Sequence, residues 1–246
     1  MKEFIYGRNP VHETLRANRR PLVQLLLAEG VHEESRLNEI QEIARKRKIP
    51  ILKIPRQRLD RINESSQGVA LEVGEYPYST LRDILMMAEQ RNQPLFVMIL
   101  DSLQNPQNLG TLIRTAESVG VHGVIIASHR AAEITPAVVS ASAGASEHML
   151  IAQSNLAQAI SELKQANAWV IGLDESPESL PLEEVRLDGA LAIVVGNEGE
   201  GLRALVRKQC DLLLRLPMQG QIASLNAAVA GSVVLYLSFL ARKPGS

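Results

Sequence analysis

Short continuous apolar runs alternate along this chain with longer stretches in which apolar residues recur every three or four positions. Strands buried on both faces and amphipathic helices give those two patterns. In the first part, strands are predicted over residues 21–27, 49–54 and 68–73. Leu37, Ile40, Ile43 and Ala44 put a helix over 36–48. A stronger alternation begins near residue 93. Its predicted strands are 95–100, 123–127, 149–152, 168–173, 190–195 and 212–216. Leu109, Leu112, Ile113, Ala116 and Val119 mark one helix between them, and further helices are predicted over 135–143, 156–166, 202–208 and 224–241. The expected organisation is a small α/β module over 1–75, a linker over 76–92 opened by the EYPYST stretch around Pro77, and an α/β domain over 93–246. The second domain should hold a parallel sheet covered on both faces, with ligands beyond the carboxyl ends of its strands.

Composition narrows the class. Of 246 residues 46% are hydrophobic and 22% charged, ordinary for a globular protein. No run of about 20 apolar residues could span a membrane. The N-terminal MKEFIYGRNP lacks the apolar core of a secretory signal, so a cytoplasmic protein is expected. The single cysteine, Cys210, leaves no internal disulfide and fits a reducing compartment. His12, His32, His122, His129 and His148 show no metal-ligand spacing, and no metal site is expected. The net charge of −1 is unevenly spread: residues 1–75 carry +3 and the remainder −4. Arg45-Lys46-Arg47-Lys48 closes a predicted helix, where cations favour the dipole or contact phosphates, and Arg8, Arg16, Arg19 and Arg20 could join such a patch. With three Phe, four Tyr and one Trp, base stacking is a minor theme.

Three loops follow strands of the larger domain. DSLQNPQNLG at 101–110 offers Asn108 as a helix cap, with Arg114 pointing away from the apolar stripe. IVVGNEGEGL at 193–202 has glycines at 196, 199 and 201, a spacing that matches neither a dinucleotide fingerprint nor a Walker loop. Its carboxylates argue against bound pyrophosphate. Glu200 reads as the acidic start of a helix, leaving Glu198 as the better candidate for chemistry. LPMQGQIASLNAAVAG at 216–231 offers Ser224 as a cap for the last helix, followed by small residues that allow close backbone approach.

These stretches resemble the three motifs of the SpoU/TrmH family of RNA ribose 2′-O-methyltransferases, members of the SPOUT superfamily. YGRNPVHETLR and SSQGVALEV resemble the family's ribosomal-protein-L30e-like substrate-binding domain, with Ser66 at a position that is often histidine. The resemblance implies an α/β fold with a trefoil-knotted C-terminal parallel-sheet domain and a small N-terminal L30e-like domain. It implies a homodimer packed partly through the last helix. S-adenosylmethionine would be held by Gly196, Leu216, Leu225 and Leu173. Asn108, Arg114, Glu198, Ser224 and Asn226 would form the polar catalytic group. The substrate implied is RNA, foremost a guanosine in 23S ribosomal RNA or a large-subunit precursor. The alternatives are transfer RNA, a ribosomal adenosine, or a non-catalytic RNA-binding protein on the same scaffold.

The resemblance also implies Arg114 as general base. Neutralising a group whose pKa exceeds about 12 costs roughly 7 kcal/mol at pH 7. General-base help is worth about 3–5 kcal/mol. A clamp on phosphate or developing alkoxide suits Arg114 better, with Glu198 or a phosphate-bound water taking the proton.

Overall fold

The computed structural model describes residues 3–30, 35–129, 131–221 and 224–242; His32 and, within the third motif, Ile222 and Ala223 lie outside the described residues. The chain divides into two compact units, residues 1–77 with 133–148, and residues 78–132 with 149–246.

The first unit runs β1 (Glu3–Tyr6), α1 (Arg8–Ala17), β2 (Leu22–Ala28), α2 (Ser35–Lys46), β3 (Ile51–Ile54), α3 (Arg56–Asp60) and β4 (Val69–Val73). Its sheet has the order β1-β4-β2-β3, with β2 and β3 parallel and the other pairs antiparallel. All three strands read from the sequence are present. The pattern did not show β1 or α1, because YGRNPVHETLR holds few apolar residues and an internal proline. Pro10 is tolerated within the first turn of α1, where no helical N–H bond is lost. Leu26, Ala28, Ile54, Leu59 and Ala70 form one core cluster of this unit.

The second unit starts with α4 (Leu81–Gln90), inside the segment read as a linker. Thr80 and Asp83 form a reciprocal capping box, and Leu81, Ile84 and Ala88 are buried in the unit's core. Then come β5 (Phe96–Leu100), α5 (Pro106–Ser118) and β6 (Gly123–Ala127). After β6 the chain supplies α6 (Pro136–Ala141) to the first unit. It continues through β7 (Ile151–Ser154), α7 (Leu156–Gln165), β8 (Trp169–Leu173), β9 (Leu180–Pro181), β10 (Leu191–Val195), α8 (Ala204–Gln209), β11 (Leu212–Arg215) and α9 (Ala227–Ala241). The sheet order is β7-β6-β5-β10-β8-β11-β9, parallel throughout. Every residue of β5, β6 and β10 is buried, as expected for strands covered on both faces. Because β10 inserts between β5 and β8, the carboxyl ends of β5, β10, β8 and β11 lie side by side.

Residues 133–148 are fastened within the first unit by a buried ion pair. Arg20 donates through Nε and Nη2 to Glu147 at 3.1 and 2.6 Å, and through Nη1 to Glu3 at 3.2 Å. Its guanidinium lies over the Tyr76 ring, whose hydroxyl donates to the Ser146 carbonyl at 2.7 Å. Arg20, read from the sequence as able to join a phosphate-contacting patch, is therefore committed to a buried structural role.

Candidate active site

The turns after β8, β10 and β11 and the start of α9 surround a cavity of about 320 Å³. Leu173, Gly196, Leu216 and Leu225, the residues expected to hold a cofactor, all line it. So do Glu198 and Ser224.

Its floor is the glycine-rich turn. Asn197 and Gly201 exchange backbone hydrogen bonds of 3.1 and 2.9 Å, closing the turn on itself. A Cβ on Gly196 would stand 2.4 Å from the Gly201 carbonyl carbon and 2.7 Å from the Leu202 nitrogen. Glycine is required there by close approach, and at Gly201 by a φ of 67°. The Asn197 side chain braces the turn, accepting from the Gly199 N–H at 2.9 Å and donating to the Ser102 carbonyl at 3.0 Å. This corrects the expectation that residues 199–201 open a helix. α8 begins at Ala204, and Glu200 sits in the turn before it, outside the helix. Arg203, just before α8, donates through its backbone N–H and its Nε to the fully buried Asp101 at 2.8 and 2.5 Å.

Two caps differ from the sequence reading. Asn105 caps α5, its side chain accepting from the Gln107 N–H at 2.8 Å with Pro106 at the first helical position. Asn108 is thus inside the first turn, and its amide is available to donate to Glu198, which it does. Likewise Asn226, and not Ser224, caps α9, accepting from the Ala228 and Val229 N–H groups at 2.9 and 3.3 Å. Its remaining amide hydrogens point at the Asn108 oxygen, 3.5 Å away. Three expected polar residues therefore form one series: the α9 cap orients Asn108, which orients the Glu198 carboxylate. Arg114 is exposed on α5 and does not line the cavity.

The cavity is acidic. Asp174, Glu175, Glu198 and Glu200 line it against Arg215. Burial raises the Asp174 pKa, but hydrogen bonds from Ser176 and the charge of Arg207 outweigh this and hold the carboxyl below its usual range. Such a lining repels phosphate and favours a ligand with a positive centre. Sequence reasoning missed Asp101, Asn197, Arg203 and Asp174. The signal was present for Asp101 and Asp174, each an acid directly after a buried strand.

Comparison with known proteins agrees with this architecture. The "SpoU rRNA Methylase family" model matches residues 95–236, and the "RNA 2'-O ribose methyltransferase substrate binding" model matches residues 4–79. A Bacillus subtilis protein assigned by name to the TrmH family of tRNA/rRNA methyltransferases is 40% identical over 98% of this chain and 97% of its own. Among solved structures, the SpoU methyltransferase AviRb of Streptomyces viridochromogenes, in complex with AdoMet, aligns with a TM-score of 0.80 at 24% identity, over 97% of this chain and 89% of that one. An AdoMet-bound rRNA methyltransferase of Sinorhizobium meliloti aligns with a TM-score of 0.79 at 23% identity, over 96% and 86%. On the strength of the family match across more than half its length and of the Bacillus subtilis relative, the chain belongs to the SpoU rRNA methylase family.

Proposed function

We propose that this protein transfers a methyl group from S-adenosylmethionine to a ribose 2′-hydroxyl of RNA, foremost a guanosine of 23S ribosomal RNA. The observation that carries the reading is the convergence of the turns after β8, β10 and β11 on one acidic, glycine-floored cavity with an amide-oriented carboxylate at its edge.

The residues present fit the donor. About 320 Å³ is the lower range of small-molecule sites. Leu173, Leu216 and Leu225 offer apolar surface, Gly196 allows backbone approach, and the carboxylates suit a cationic ligand. When bound, S-adenosylmethionine supplies a methyl group activated by a sulfonium. The chain's own residues do the rest. Asn226 and Asn108 hold Glu198 in place, and Glu198 accepts the proton of the attacking hydroxyl. Arg114 clamps the phosphate beside the reacting ribose, so it acts with its ordinary charge. Ser224 lines the cavity near the α9 start and positions the sugar.

Two further readings belong to the same proposal. The inserted position of β10 supports a C-terminal chain threaded as a trefoil knot. The exposed apolar stripe Val229, Val233, Tyr236 and Leu240 on α9 supports a homodimer formed through that helix. No described helix is long and apolar enough to cross a membrane.

Mapping ribose methylation over all stable RNAs, in cells with and without the gene, tests the substrate. Loss of one 2′-O-methylguanosine in 23S RNA is expected. Loss of a transfer-RNA site or a ribosomal adenosine moves the substrate, and an unchanged map marks a non-catalytic protein.

A further inference from the structure

We infer that Asp101 and Arg203 form a positioning pair for the donor site: they hold the glycine-rich turn in the shape that binds S-adenosylmethionine, without touching the ligand. The inference rests on the reading of the cavity as the donor site. Neither residue is among those lining the cavity. Asp101 directly follows β5, and its N–H donates at 2.8 Å to the carbonyl of Val195, the last residue of β10. Its carboxylate accepts from the Arg203 N–H at 2.8 Å through Oδ2 and from Arg203 Nε at 2.5 Å through Oδ1. One residue thus fastens the chain both where it enters the turn and where it leaves. Residues 196–201, between those two points, all line the cavity.

Ser102 adds a further attachment. Its carbonyl accepts from Asn197 Nδ2 at 3.0 Å, and its Oγ donates to Asp101 Oδ1 at 3.1 Å. Ser102 has a φ of 64°, in the left-handed region. A serine takes that conformation at a cost, and such strain persists where surrounding contacts over-determine it, above all at functional sites. The chain then runs through residues 103–105 into α5, which carries Asn108 and Arg114. Residues 101 and 102 are therefore where the donor turn is joined to the catalytic helix.

Burial separates this pair from one that serves stability alone. The Asp101 side chain is 0% exposed, whereas that of Arg203 is 46% exposed. Taking a carboxylate out of water is costly, and a partner half open to solvent offsets that cost poorly. What the carboxylate supplies is direction: it accepts at once from the Arg203 N–H, Arg203 Nε and Ser102 Oγ. An apolar residue at 101 would fill the same space and leave the exit of the turn unfixed. Arg207, four residues along, has a different place. It pairs with Asp174, which itself lines the cavity, and with Glu178, which is 75% exposed. Arg207 thus supports a wall of the cavity, whereas the Asp101–Arg203 pair acts from behind its floor.

The test is calorimetric titration of full-length variants with S-adenosylmethionine, below the melting transition of each. Methyl incorporation into a 23S ribosomal RNA transcript gives kcat and the two KM values. Asp101→Asn keeps the size and one acceptor oxygen but loses the charge. It should weaken donor binding about tenfold or more, as for a lost charge-assisted hydrogen bond, and raise the donor KM in parallel. At saturating donor, kcat and the KM for RNA should stay within about threefold of wild type, because Asn226 and Asn108 still orient Glu198. Glu147→Ala, which breaks the buried ion pair of the first unit, should lower the melting temperature and leave donor affinity unchanged. Unchanged donor affinity in Asp101→Asn, a fall confined to kcat, or an equal loss in Glu147→Ala would overturn the positioning role. If Asp101→Asn does not fold, Arg203→Gln, altered at a half-exposed side chain and retaining its backbone N–H, must still raise the donor KM about threefold or more, and Arg203→Lys must recover part of that loss. A wild-type protein that gives no heat with S-adenosylmethionine would instead refute the donor reading, and the role of this pair with it.

Discussion

At the residue scale, orienting the Glu198 carboxylate, which Asn108 does, is separable from using it as a proton acceptor. Glu198→Gln keeps an oxygen that Asn108 can donate to but loses the proton acceptor. Turnover should fall by about 10²–10⁴, with S-adenosylmethionine affinity within a few-fold of wild type, read by methyl incorporation and calorimetry. Arg114→Lys keeps the charge and loses the planar fork; most activity should vanish while donor binding persists. Near-normal turnover in that variant would remove Arg114 from the catalytic group. Much of this site was legible beforehand: Leu173, Gly196, Glu198, Leu216, Ser224 and Leu225 stand around one cavity. The hydrogen-bond assignments were not. Asn105 and Asn108 are equally good caps by type, and Pro106 decides between them by presetting the first helical residue. The brace by Asn197 depends on the Ser102 carbonyl, 95 residues away in sequence, which no local pattern reveals.

At the scale of elements, burial decides stability. The Arg20 and Glu147 side chains are 0% and 1% exposed. Glu147→Ala leaves a buried cation short of its main partner and should cost about 3–5 kcal/mol in denaturant unfolding. Converting both to methionine should recover part of that loss. The junction of β5 and β6 carries a pH dependence. His122 accepts from the Phe96 N–H through Nδ1, and its Nε2 faces the Gln93 oxygen at 3.1 Å. Burial, with the positive charges of Arg91 and Arg242, lowers its pKa from 6.5 to about 4. Unfolded, the imidazole binds a proton below pH 6.5; folded, it stays neutral until about 4. Stability should therefore fall as pH drops across that window, by up to about 1.4 kcal/mol per pH unit. In His122→Gln the slope should be shallower. The parallel sheet was legible because its strands are continuous apolar runs. α4 was hidden by a short pattern between prolines, and the capture of residues 133–148 by the first unit depends on a long-range ion pair.

For the molecule as a whole, two properties remain to be measured. The first is association. α9 buries Gly231 against Leu112 and Val195 on one side, where a Cβ would approach Leu112 to 2.6 Å. Its other side leaves Val229, Val233, Tyr236 and Leu240 between 39% and 49% exposed. Val233→Asp should convert a dimer to a monomer in light scattering, with a melting temperature that is lower and no longer depends on protein concentration. The second is donor binding, on which everything catalytic rests. Calorimetric titration of the wild-type protein and Gly196→Ala with S-adenosylmethionine is the most direct measurement, with melting curves to show that the variant folds. The expected result is saturable binding at one site per chain in the wild type and its loss in a folded variant, because the added methyl group must displace the 201–202 backbone that floors the cavity. No heat from the wild type, or equal affinity in the two proteins, would contradict the account.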